Sequence, residues 1–120
     1  MEDTLKHIVK KYRIDIGKQY AVEIPGIGRS DLATLFAELK FTNGAEIGVE
    51  QGIYSEVLCK ANPDLRLYCV DPWKVNAYDV VAHGIDPNQS TYDNFYKETR
   101  KRLSKYNCSI IRKTSMEAVK

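Results

Sequence analysis

Five polar or glycine positions fall close enough together to suggest chemistry: Glu46, Gly48, Gly52, Ser55 and Asp71. The first four lie in Ala45-Glu46-Ile47-Gly48-Val49-Glu50-Gln51-Gly52-Ile53-Tyr54-Ser55. The fifth ends Leu67-Tyr68-Cys69-Val70-Asp71-Pro72-Trp73, about two dozen residues after the first run begins. An apolar strand that runs into a glycine-bearing turn and then a helix lets backbone pass close to a ligand, where a Cβ would obstruct it. The following helix, opening near Tyr54, points unpaired N–H groups into the same crevice. A carboxylate at the tip of the next strand can accept from two ribose hydroxyls. A hydrogen bond to such a charged acceptor contributes about 1.5–3 kcal/mol. In an α/β protein the pair of features builds a nucleotide site.

The turn departs from the dinucleotide fingerprint. In place of Gly-x-Gly-x-x-Gly the chain has Glu-x-Gly-x-x-x-Gly, with Glu50 where the middle glycine is expected. A glutamate aimed at a pyrophosphate repels it. The turn therefore argues against NAD and FAD and is compatible with a cofactor that has no phosphates.

The elements that must position these residues follow from periodicity. Residues 3–13 carry Leu5, Ile8, Val9 and Tyr12 at helical spacing. Ser30-Asp31 reads as a helix start, followed by the stripe Leu32, Leu35, Phe36 and Leu39, and Asn43-Gly44 as its break. Strands are expected at Ala45–Val49, Leu65–Val70 and Cys108–Arg112. Helices are expected at Tyr54–Ala61, stopped by Asn62-Pro63, and at Thr91–Tyr106, with Tyr92, Phe95, Tyr96, Thr99, Leu103 and Tyr106 toward the core. Residues 74–90 read as loop, and Ser115 as the cap of a further helix. Alternating strands and helices predict an α/β fold, a Rossmann-like parallel sheet of about three strands in the order 3-2-1, preceded by two helices. The chain divides into an N-terminal helical segment, 1–43, and a nucleoside-binding unit, 44–120.

Composition bounds the function. The chain has 120 residues, enough for one modest core. Its net charge of +2 is too small to argue for nucleic acid or an anionic membrane. The run Lys97, Arg100, Lys101, Arg102 and Lys105 reads as the solvated face of a helix. No apolar run approaches the roughly 20 residues that span a bilayer, and the N-terminus lacks a signal-peptide core, so a cytoplasmic protein is expected. Cys59, Cys69 and Cys108 match no metal spacing and read as buried reduced thiols. No metal is expected.

Glu46-Ile47-Gly48-Val49-Glu50-Gln51-Gly52-Ile53-Tyr54-Ser55 resembles motif I of the class I S-adenosylmethionine-dependent methyltransferases, in the form common in small bacterial and phage enzymes. Val70-Asp71-Pro72-Trp73 is similar to that subgroup's second motif. Ile111-Arg112-Lys113-Thr114-Ser115-Met116 resembles the third-strand segment that precedes the adenine-bordering loop. The motifs stand in family order from about residue 44 onward. The resemblance implies S-adenosylmethionine as cofactor. Glu46, Gly48 and Gly52 would line its methionine end, with the Gly48 carbonyl accepting from the amino group. Ser55 would lie near its carboxylate and Asp71 would hold the ribose hydroxyls. Pro72 and Trp73 would pack beside the adenosine, and Ser115 and Met116 would border the adenine.

Some positions also have a plain structural alternative: turn glycines at 48 and 52, a core residue at Trp73, a helix cap at Ser115. Asp71 is the hardest to explain structurally, since a carboxylate ending an apolar strand gains nothing from burial. The family's fourth strand and acceptor site lie beyond these motifs, so the chain reads as the cofactor-binding half of a methyltransferase, with no residue assigned as catalytic. The resemblance also implies that the first strand's outer edge is open, which predicts a homo-oligomer through that edge or the N-terminal helices. A non-catalytic α/β nucleotide-binding or assembly module is the alternative.

Overall fold

A computed structural model describes residues 3–17 and 21–120. Residues 1–2 and 18–20, part of the expected N-terminal segment, lie outside the described residues. The elements are α1 (Thr4–Tyr12), α2 (Arg29–Glu38), β1 (Asn43–Ile47), α3 (Ile53–Ala61), β2 (Arg66–Val70), α4 (Ala77–His83), α5 (Gln89–Leu103), β3 (Cys108–Ile111) and α6 (Ser115–Ala118). The fold is α/β, and its three strands stand in the order β1-β2-β3. Both pairings are parallel, with Ile47 opposite Val70 and Val70 opposite Ile111. All three strands therefore end at one edge of the sheet.

Two successive parallel crossovers of the same hand put their helices on the same side of a sheet. Here α3 and α5 share a core with one face of the strands. Leu58 and Cys59 of α3 and Leu103 of α5 pack with Leu67 and Cys69 of β2, and Trp73 joins the same cluster. The face that carries Gly44, Glu46, Leu67, Cys69, Cys108 and Ile110 is the covered one, with Leu67 2% and Cys69 0% exposed. The opposite face carries Asn43, Ala45 and Ile47 on β1, all exposed. Val70, buried at the tip of β2, is the exception there.

Several expected boundaries move. β1 begins at Asn43 and ends at Ile47, so Asn43-Gly44 opens a strand and does not break a helix. α2 ends earlier, where Lys40 takes a left-handed φ of 56°. Its start is capped by Gly28, whose N–H donates to Asp31, rather than by Ser30. Residues 74–90, expected as loop, contain α4. Asn76 caps its start and Gly84 ends it in the left-handed region, while none of its residues is buried. Caps rather than an apolar stripe define that helix. The cap of α6 is Thr114, in a capping box with Glu117, and Ser115 is the first helical residue.

On α5 the expected core face holds. Thr99 and Leu103 are buried, and Tyr92, Phe95, Tyr96 and Tyr106 pack against the core. α1 buries no residue and meets α2 through Lys11 and His7, both on Glu38 at 2.6 and 3.3 Å.

Candidate functional site

The carboxyl ends of the three parallel strands place the β1–α3 turn (48–52), the residues after β2 (71–73) and the residues after β3 (112–116) along one edge. Within the turn, Gly48 has φ 83°, Glu50 φ 55° and Gly52 φ 71°. Two of these left-handed positions are glycine, where that conformation carries no Cβ penalty. They differ in surroundings. A Cβ on Gly48 would meet nothing within 4 Å, so backbone there borders open space. A Cβ on Gly52 would come within 3.0 Å of Thr99 Cγ2 on α5. Gly48 leaves room outside the protein, and Gly52 lets α3 and α5 close on each other.

The turn is pinned from every side. The Gly48 N–H donates to the Val70 carbonyl at 2.9 Å. The Val49 and Glu50 N–H groups donate to Asp71 Oδ2 at 2.9 and 3.0 Å. The Glu50 carbonyl accepts from Trp73 Nε1 at 2.7 Å and Thr99 Oγ1 at 2.9 Å. The Gln51 carbonyl accepts from Arg102 Nε at 3.0 Å. Arg102 therefore leaves the solvated stripe to which its sequence run assigns it and anchors the turn. These bonds over-determine the unfavourable φ of Glu50 and fix the shape of the turn.

Asp71 has a structural use that its sequence position did not disclose. Besides the two turn amides on Oδ2, its Oδ1 accepts from the Trp73 N–H at 2.7 Å. A carboxylate has about four lone-pair sites, so three backbone donors leave one on Oδ1. Trp73 is 1% exposed. Its ring lies 5.0 Å from that of Tyr96, so it is a core residue that ties β2 to the turn. Pro72 is half-buried beside it.

Glu46 projects from β1 on the covered face, and its Oε2 accepts from the hydroxyl of Ser55, which is 0% exposed. Burial raises the Glu46 carboxyl above the usual carboxylate range, opposed by the Ser55 hydrogen bond and the charge of Arg29. Arg29 stacks at 5.5 Å over the Tyr54 ring, whose hydroxyl donates to the Arg29 carbonyl. Ser115 and Met116 are exposed beyond β3, Met116 at 73%.

The structure thus brings Glu46, Gly48, Gly52, Ser55, Asp71, Pro72 and Trp73 together, with Ser115 and Met116 on the same edge. Two further residues, Gln89 and Arg112, support the β2 tip. Gln89 Nε2 donates to the Trp73 carbonyl at 2.8 Å, and its Oε1 accepts from the Val75 N–H at 3.0 Å. Arg112 donates to the same carbonyl at 3.3 Å and to Asp93 at 2.6 Å while lying 4.6 Å over the Tyr96 ring. The Arg112 guanidinium holds the Asp93 carboxyl below the usual range. No local spacing marks Thr99, Gln89 or Arg112, because their partners come from distant segments. Among the described residues, no cluster of His, Cys, Asp or Glu could hold a metal, and no helix is long and apolar enough to cross a membrane.

Two acidic side chains meet at this edge, Asp71 on the turn amides and Glu46 on Ser55, and the charge of Arg29 acts on Glu46. Acidic side chains at an edge favour a ligand with positive charge and disfavour phosphate. Compared with protein-family models, curated proteins and solved structures, the chain matches none.

Proposed function

We propose that the edge formed by the β1–α3 turn and the tip of β2 binds S-adenosylmethionine, and that the chain is the cofactor-binding portion of a methyltransferase. The observation that carries this reading is the coincidence of a pinned turn, open space at Gly48 and the acidic side chains of Glu46 and Asp71. A sulfonium nucleoside with an amino-acid tail carries two positive centres and no phosphate, which suits that lining. Glu46 would face the tail's ammonium, and the Gly48 carbonyl would accept from it. Asp71 would offer its remaining Oδ1 site to one ribose hydroxyl, rather than both oxygens to two. Ser55 would act on the tail through Glu46, and Trp73 on the adenosine through the turn. The exposed Ser115 and Met116 would border the adenine.

Calorimetric titration of the chain with S-adenosylhomocysteine and, separately, with NAD tests this. Binding of the first and not the second is expected, and Asp71→Ala is expected to weaken it by about tenfold or more, about 1.4 kcal/mol. Absence of heat with S-adenosylhomocysteine at millimolar concentration, or equal binding of NAD, overturns the reading.

One observation favours assembly as a second role. Ile47 is 62% exposed on the outer strand β1, beside exposed Ala45. An apolar edge strand invites pairing with another chain, so a homo-oligomer through β1 is the partner we propose. Light scattering after size exclusion should show an oligomer that Ile47→Lys dissociates. A clean monomer at high concentration contradicts it.

A further inference from the structure

Two thiols that the candidate site does not use meet on the covered side of the sheet. Cys59 lies in the last turns of α3 and Cys108 opens β3. Their Sγ atoms are 3.3 Å apart across a sequence separation of 49 residues, and both are free. A disulfide has its sulfurs about 2.05 Å apart, so bond formation asks only for a small approach of two side chains that already face each other. Beside them is a cavity of about 330 Å³ that Cys59, Lys60, Leu65, Lys105, Tyr106 and Asn107 line. Two lysines on that lining, Lys60 and Lys105, attract a small anion to the side of Cys59.

We propose that Cys59 and Cys108 form a reversible intramolecular disulfide by exchange with a low-molecular-weight anionic disulfide of the glutathione type. Cys108 is the more exposed of the two and is the attacking thiol. Its thiolate attacks one sulfur of the small disulfide, whose S–S bond breaks, and one thiolate leaves. Cys59 then attacks Cys108 Sγ of the mixed disulfide and expels the second. The protons of the two cysteine thiols pass to the two released thiolates. The protein loses two electrons and the small disulfide gains them. Cys69 lies on the same face at 0% exposure, and burial pushes its thiol up to about 12. Burial also raises Cys59, which therefore acts second. The bridge fastens the end of α3 to β3 and encloses β2, α4 and α5 in one covalent loop, which raises resistance to unfolding by constraining the unfolded chain.

The test treats the purified chain with oxidised glutathione and maps peptides without reduction. The expected result is an intact mass lower by two hydrogens, a Cys59–Cys108 linked peptide, full reversal by dithiothreitol, and an unfolding midpoint several degrees above that of the reduced chain. Cys69→Ala should retain the bridge. Cys59→Ala and Cys108→Ala should each abolish both the bridge and the oxidation-dependent midpoint shift. Three thiols still free, a mixed disulfide that never closes, or a bridge that includes Cys69 overturns the proposal. None of these readouts depends on cofactor binding.

Discussion

The two faces of the sheet are built from the same three strands yet have opposite fates. On one, Leu67 and Cys69 are 2% and 0% exposed beneath α3 and α5. On the other, Ile47 is 62% exposed. The difference comes from topology rather than composition, because both crossovers return on the same side. The covered face supplies the rigidity, and its helices reach past the sheet edge to pin the β1–α3 turn through Thr99 and Arg102. The open face supplies none of those anchors. The candidate site depends on the covered side alone.

Substitutions on the two faces should therefore separate widely. Leu67→Ala removes a buried side chain from the shared core and should cost about 2–5 kcal/mol in urea unfolding. Gly52→Ala should cost about 1–2 kcal/mol for its left-handed φ and about 1–3 kcal/mol more if Thr99 cannot yield. The companion change Thr99→Ser removes the opposing Cγ2 and should relieve part of that loss, which a double-mutant comparison reads directly.

Glu46 tests the covered face through pH. Its carboxyl is raised in the folded chain, first by burial. The protonated form is therefore the one the fold prefers. The associated stability is full below the unfolded-state value near 4.5 and is lost as pH rises through the higher folded value. Glu46→Gln should match the wild type in acid and be modestly more stable at neutral pH. A wild-type curve with the opposite slope relative to Glu46→Gln would contradict the burial argument. The smallest effect is expected on the open face. At a concentration low enough to keep the chain monomeric, Ile47→Ala should change the unfolding free energy by about 0.5 kcal/mol or less, and a loss as large as that of Leu67→Ala would show that the chain itself covers this face.

What could be read from the chain follows the range of each interaction. The apolar face of α5 is written in its own spacing, and the parallel α/β arrangement in the alternation of elements. α4 escaped because it has no buried stripe and only its caps, Asn76 and Gly84, define it. β1 was expected two residues late because Val49 is buried in the turn, not on the strand. At the site, the residue types and their shared edge were legible. The use of Asp71 as a staple for Val49 and Glu50 was not, since it rests on amides 22 and 21 residues away. The same holds for Arg102 on Gln51, separated by 51 residues, and for the thiol pair.

We propose that the β1–α3 turn and the β2 tip form one ligand site. A titration of the ¹⁵N-labelled chain with S-adenosylhomocysteine, followed by amide chemical shifts, tests it most directly. Saturable shifts are expected at Gly48, Val49, Glu50, Asp71 and Trp73, with little change on α1. Saturation without shifts in the 48–52 turn, or no shifts at all, would contradict it.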